Sequence, residues 1–449
     1  MKRGSILRFV WLSVLCAIPC TAQTRYILCP APNGSIDGID TRHGLTLVGP
    51  LDDQNRGVYI VTAPATLTPA DVINDVTGDA EVADFELDND VAIAENPSSL
   101  NQTSVAILER MPAPAAVSYY GNSVLGLYLD QPATSIIRLP DAQTAFGATG
   151  GGIVAVIDTG VDPNHIALQG ALVPGYDFVN NIPGSGNELT DLDGVNLQVL
   201  QNSDPSPASK TQQLRLNQTS VAILEQTSVA ILETKNLPAF FGHGTMVAGM
   251  VHLVAPSAQI MPLKAFQGDG TATLSDILRA IYYAADHGAS VINMSFTLLT
   301  PSSELQKAIR YAANRNVIMV ASTGNTGTTY VAQPAALQKV IGVASTSNSD
   351  LRSTFSSYGT GTYVAAPGEQ VITLYPGNNY AVASGTSFSS PIVAGTAALT
   401  VQVNPLSEYS NASKAISNAE TLTTTGLGYG RLDVYQAVQY AIQNPSINY

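Results

Sequence analysis

Residues 154–162 read VAVIDTGVD, and they follow Ile153 in an apolar run that ends on a carboxylate. Five apolar residues from Ile153 to Ile157 have the pattern of a strand buried on both faces, as in a parallel sheet. In open α/β sheets the reactive groups gather beyond the carboxyl ends of such strands, which is where Asp158 stands. Two further stretches share the small-residue context of the first. GHGTMVAG (242–249) carries His243, and SGTSFSSPIVAG (384–395) carries Ser387; each opens an apolar, helix-like run. Pro391 is expected in the first turn of the second helix, where a missing N–H costs nothing. A serine at such a start has backbone N–H groups directed toward a developing negative charge.

The three residues make chemical sense together. A serine hydroxyl is a weak nucleophile near neutral pH and needs a base within hydrogen-bond reach. Histidine supplies that base, and a carboxylate fixes its tautomer and stabilises the imidazolium as it forms. With these motifs in the order Asp, His, Ser, the chain resembles the subtilisin-like serine proteases, the subtilases.

The resemblance extends over roughly residues 135–440. SVINMSF (290–296) is similar to the strand lining the family's substrate cleft, and VASTGNTG (320–327) to the segment supplying the oxyanion-hole asparagine. STFSSYGTGTYVAAPG (353–368) and GYGRLDVYQAV (428–438) match later landmarks. The resemblance implies Asp158, His243 and Ser387 as the triad and Asn325 as the oxyanion donor, with Ser295, Phe296, Gly324 and Gly270 binding substrate. No HExxH pair or cysteine cluster is present to suggest a zinc mechanism. His165 is expected to pack or cap near the first motif, and His287 to sit at a helix end; His43 and His252 have no partner legible in the sequence.

Beyond Asp158 the chain alternates strands and helices. QIMPLKAF (259–266) and SVINMS are strands around a helix at 274–286, capped by Thr273, with Leu274, Ile277, Leu278, Ile281 and Ala285 on one face. A second helix aligns Leu305, Ala308, Ile309 and Ala312 before the strand VIMVAS. The expected fold is α/β, a subtilisin-like, mainly parallel sheet with helices on both faces, preceded by a small α+β domain.

Residues 1–22 have a basic start, a ten-residue apolar core and a small-residue end at Ala22, the form of a secretory signal peptide. Without them the chain holds 17 basic and 34 acidic residues, which argues against nucleic acid or an anionic membrane as partner. No later run is apolar and long enough to span a bilayer. Only Cys29 remains of three cysteines, so no internal disulfide can form and stability must come from the core. Residues 23–95 read as the α+β unit, with strand candidates RYILC, GLTLVG, VYIVTA, AEVADFEL and DVAIAE and one helix started by Thr68, Pro69 and Asp71; no earlier helix is evident. Such a unit is similar to a subtilase propeptide, which would assist folding and then block the cleft as an inhibitor until cut away. A turn-rich linker follows at 96–134, and the removable piece is expected to run from 23 to about 110.

Several features depart from the family. Asp158 and His243 are 85 positions apart, the excess lying in a polar surface insertion at about 182–238 of the catalytic domain, 135–449. QTSVAILE occurs there twice in tandem, at 218–225 and 226–233, and a third time at 102–109 in the linker. An eight-residue shift preserves strand parity, whereas on a helix it rotates the apolar group by about 80°. The copies therefore read as strands that could add to a sheet edge, against the alternative of a tolerated duplication. Phe296, Thr297 and Leu298 are bulkier than the family's Gly-rich turn. The loop holding a tight calcium in some relatives is missing after His252, and DLDG (191–194) offers two carboxylates for calcium; otherwise no cofactor is expected. Thr326 gives the primary pocket no acid, which points to neutral or apolar side chains. These readings converge on a secreted or periplasmic serine endopeptidase made as a zymogen and acting on protein or peptide substrates. Two other readings stay open: a catalytically silent subtilase-fold binding or scaffold protein, and an exopeptidase with a blocked cleft.

Overall fold

The computed structural model describes residues 23–54, 56–93, 116–192, 237–405 and 408–446, together with the backbone of 105–107. The chain divides into two compact units, one ending at Asp88 and the other running from Asn89 to the C-terminus.

In the first unit, the strands Arg25–Pro30, Thr46–Pro50, Tyr59–Thr62 and Val82–Leu87 form one antiparallel sheet, with Arg25–Pro30 and Tyr59–Thr62 in the middle. Helices Ile36–His43 and Pro69–Val76 complete a βαββαβ order. Tyr26, Leu28, Ile39, Val61, Val72, Val76 and Phe85 make its core, with Tyr26 and Phe85 stacked at 5.1 Å. Thr68 caps the second helix, as its sequence predicts. The first helix corrects the expectation that none precedes it. Its run IDGIDTRH is too polar to show a face, yet its ends are marked. Ser35 accepts from the Gly38 N–H, and Gly44 closes the C-terminus in the left-handed region at φ 63°. His43 also has partners, bridging Asp75 and Asp79.

The second unit is built on an eight-stranded sheet. Its order is Ile182–Pro183, Tyr176–Asp177, Gln259–Lys264, Ile153–Asp158, Val291–Met294, Ile318–Ser322, Val340–Thr346 and Val364–Pro367. All neighbours run parallel except the first pair. The central strands are buried along their length, which explains their near-continuous apolar sequences. Ile153–Asp158 lies between Gln259–Lys264 and Val291–Met294, so the chain order reverses around it and Asp158 ends the strand at a topological switch point. Helices His243–Val254 and Thr386–Val403 pack together, as do Leu274–Asp286 and Ser303–Ala313. The apolar faces expected for the latter two are buried, and Thr273 caps the first of them.

Two short sheets join this framework to the chain leading into it. Asp90–Ile93, expected as a strand of the front unit, is the middle strand between Thr271–Thr273 and Phe296–Thr297, antiparallel to both. Val105–Ile107, inside the linker copy of QTSVAILE, pairs antiparallel with Asn379–Ala383. That copy is thus a strand added to a sheet edge, as the reading of the repeat as a sheet-adding segment allows. The tandem copies and the signal segment lie outside the described residues. Among the described residues no helix is long and apolar enough to cross a membrane.

Candidate active site

Asp158 is carried to the site by its strand, and His243 by the first turn of the helix His243–Val254. Their segments meet backbone to backbone: a Cβ on Gly244 would fall 1.9 Å from the Gly160 carbonyl oxygen, so only glycine permits the approach. His243 Nδ1 lies 2.7 Å from Asp158 Oδ1, and both side chains are buried. The Thr159 N–H donates to the same Asp158 oxygen at 2.8 Å, holding the carboxylate in place.

Ser387 is the second residue of the helix Thr386–Val403 and is fully buried. Its hydroxyl lies 3.4 Å from the Ser295 carbonyl, and the ring of the next residue, Phe388, packs 5.6 Å from the His243 imidazole. Pro391, expected in the first turn, is the sixth helical residue instead. A proline there has no N–H to give to the carbonyl four residues back, which belongs to Ser387. The Ser295 hydroxyl fills that vacancy, donating to the Ser387 carbonyl at 2.9 Å. Ser295 is thereby tied to the start of the helix, and Asn293 Nδ2 donates to its Oγ at 2.9 Å.

Asn325 Oδ1 accepts from the Thr386 N–H at 2.9 Å and from its hydroxyl at 2.8 Å. Its oxygen end is thereby tied to the residue that precedes Ser387. Gly324, at φ 103°, has Thr297 and Ser357 as its nearest side-chain neighbours. Gly270, at φ 87°, lies against Phe240 so closely that a Cβ would overlap the ring, and its carbonyl accepts the Ile93 N–H at 3.2 Å. Phe296 pairs through its backbone with Ile93, while its ring turns away to pack 5.2 Å from Phe266. Of the sequence-predicted residues, Gly270 and Phe296 thus meet one strand of the chain's own leading segment.

The model of the subtilase family matches residues 149–436. The chain belongs to the subtilase family. It is 36% identical over 288 residues to a thermophilic serine proteinase of Bacillus sp. strain AK1, covering 64% of this chain and 61% of that one. It is 35% identical over 296 residues to thermitase of Thermoactinomyces vulgaris, covering 65% of this chain and 89% of thermitase. Among solved structures it resembles fervidolysin from Fervidobacterium pennivorans, described as a keratinolytic enzyme related to subtilisin, with a TM-score of 0.67 at 21% identity over 93% of this chain and 61% of that one. That likeness concerns the fold. The family is one of serine endopeptidases, hydrolases that cut peptide bonds.

Two residues around this subtilase site, Glu188 and Lys264, were not singled out by the sequence. Glu188 lies at the start of what reads as a polar surface insertion, yet it is fully buried in a short 3-10 turn, Glu188–Asp191. Burial pushes its carboxyl up to about 7, against the pull of the Thr159 and Thr245 hydroxyls and the Lys264 charge. Lys264 is fully buried opposite Asp158 in the sheet register and donates to the Thr159 carbonyl at 2.9 Å. Its charge inside an apolar strand was the one available signal. Asp191, one of the DLDG carboxylates, is 2.6 Å from the same Lys264 Nζ. That oxygen is committed to an ammonium group, so Asp191 does not fit a calcium site, and Asp193 lies outside the described residues. Among the described residues no group of three His, Cys, Asp or Glu side chains is placed to hold a metal ion. The remaining histidines have structural places. His165 caps a 3-10 turn, and His287 stands at its helix end with Nδ1 2.8 Å from the Tyr283 carbonyl.

Proposed function

We propose that the protein is a secreted serine endopeptidase, made as a zymogen whose front unit inhibits it until cut away. The observation that carries this reading is the strand Asp90–Ile93, held between Thr271–Thr273 and Phe296–Thr297, the latter following Ser295, whose carbonyl lies 3.4 Å from the Ser387 hydroxyl. Extended peptide added as a middle strand is bound through its main chain, so the cleft accepts many sequences, while buried Val91 and Ile93 supply selectivity for apolar side chains. The occupying strand is internal to the chain, with residues on both sides of it. An exopeptidase cleft, closed at one end, would not admit such a strand, and a binding protein would have no use for the Asp–His contact beside a serine.

In this reading the Ser387 hydroxyl attacks the scissile carbonyl and passes its proton to His243. Asp158 holds the imidazole with Nδ1 protonated and stabilises the imidazolium. Charge on the tetrahedral oxygen is taken up by Asn325 Nδ2 and the Ser387 N–H. His243 then protonates the leaving amine, and water repeats the sequence on the acyl-enzyme. No acidic side chain among the substrate-binding residues named above favours a basic substrate group, in keeping with a neutral or apolar preference.

We further propose that self-cleavage falls shortly after the strand Asp90–Ile93, nearer the front unit than the boundary of about 110 that composition suggests; its support is that Ile93 pairs with Phe296, next to Ser295, whose carbonyl lies 3.4 Å from the Ser387 hydroxyl. N-terminal sequencing of secreted protein should begin within a few residues of Ile93, and the Ser387→Ala variant should accumulate as precursor. A purified Ser387→Ala protein that trims itself to the mature length would overturn self-processing.

A further inference from the structure

We propose that Glu188 is a positioning residue for the triad, its buried carboxylate bracing the segment that carries Asp158 against the segment that carries His243. The inference rests on the peptidase reading above. Oε1 accepts the Thr159 hydroxyl in a very short hydrogen bond and the Gly242 N–H at 2.8 Å. Oε2 accepts the Thr245 hydroxyl at 2.6 Å and the Thr245 N–H at 3.3 Å. Thr159 follows Asp158 directly, while Gly242 and Thr245 flank His243. The Thr159 hydroxyl in turn accepts the Gly244 N–H at 2.9 Å, which closes a ring of hydrogen bonds around the Asp158–His243 contact.

The four groups meeting Glu188 all donate to it, so the ionised acid satisfies each of them. A neutral replacement leaves buried donors without an acceptor, which loosens both segments at once. Small misplacements of a general base are costly in turnover, because the near-attack geometry is lost while substrate binding is not. The side chain touches neither substrate nor reacting atoms, and it acts through Asp158 and His243.

The same carboxyl titrates near neutrality, where it changes the field at the dyad. The ionisable groups interacting with it are Lys264 and Asp158 on their strands and Tyr375; behind these, His243 pairs with Asp158, Asp191 with Lys264, and the Asp162 N–H donates to Thr245. Removing its negative charge makes the His243 imidazolium less favourable. The acid limb of kcat/KM therefore moves to lower pH, a change that a purely structural brace would not produce.

Glu188→Gln keeps the shape and one oxygen. We expect kcat to fall about tenfold or more with KM within about twofold, and the acid limb of kcat/KM to drop by about half a pH unit. A folded Glu188→Gln protein with unchanged kcat and an unmoved limb overturns the proposal. Should that variant fail to fold, Thr245→Val removes a single donor to Glu188 and should still lower kcat by roughly threefold or more; unchanged turnover there overturns the proposal as well. Wild-type protein that does not react with a fluorophosphonate sinks the peptidase reading, and this proposal with it. Labelled wild type beside an unaffected Glu188→Gln variant sinks the proposal alone.

Discussion

His252 should make this fold acid-labile, and the size of the effect follows from its burial. The side chain lies on the helix that begins with His243, is 1% exposed, and has neither ring nitrogen hydrogen-bonded among the described residues. The ring of Tyr119 packs against it, edge-on at 5.9 Å. Burial, with a smaller push from His165, lowers its pKa from 6.5 to about 4. A histidine depressed in the folded state binds its proton more readily when unfolded. Its contribution is therefore intact above pH 6.5 and is lost as the pH falls toward 4. Each tenfold difference in proton affinity between the folded and unfolded chain is worth about 1.36 kcal/mol, so about 2 kcal/mol is gone by about pH 5 and roughly 3 kcal/mol below about pH 4. That is a sizeable share of a typical folding free energy. The measurement is urea unfolding at about pH 8 and about pH 5 in a Ser387→Ala background, which prevents self-digestion from mimicking instability. His252→Leu should lose about 2 kcal/mol less than its parent between the two pH values. Equal losses in parent and variant, within about 0.5 kcal/mol, would refute the assignment of acid lability to this side chain.

Further outcomes follow from the same geometry. Asn325→Ala should lower kcat by about 10²–10³ with little change in KM, as loss of the corresponding donor does in subtilisin itself, and steady-state kinetics on a chromogenic peptide measures it; unchanged turnover would place the oxyanion donor elsewhere. A free peptide acetyl-Asp-Val-Ala-Ile-Ala should inhibit competitively as a cleaved-product mimic. Replacing its isoleucine by alanine should raise the inhibition constant about tenfold, because Ile93 is buried where it lies and an aliphatic side chain contributes about 1.5–3 kcal/mol. Equal inhibition by a scrambled peptide would remove Asp90–Ile93 from the cleft.

The fold and the site were legible to different depths. Asp158, His243 and Ser387 stand in short motifs whose chemistry and surroundings are both local, so their places on strand and helix ends could be read directly. The helices at 274–286 and 303–313 were legible because their apolar spacing is regular and Thr273 caps the first. Ile36–His43 was not, since a helix with two apolar side chains shows only its caps. DVAIAE reads correctly as a strand, but a strand's partners are non-local, and nothing in those six residues distinguishes the front sheet from the cleft. Pro391 looked like a first-turn residue because its missing N–H is usually harmless there. Its place further in became intelligible only with Ser295 answering the Ser387 carbonyl. Glu188 was hidden for a similar reason, since polar neighbours suggested surface and its four donors come from residues far along the chain.

Ser387 as an activated nucleophile is open to covalent labelling. Protein treated with a fluorophosphonate at neutral pH, digested and analysed by mass spectrometry, should carry one phosphonyl group on the peptide containing Ser387. The Ser387→Ala variant should carry none. An unlabelled wild-type protein, or a label that persists in the Ser387→Ala variant, would mean that Ser387 is not the nucleophile.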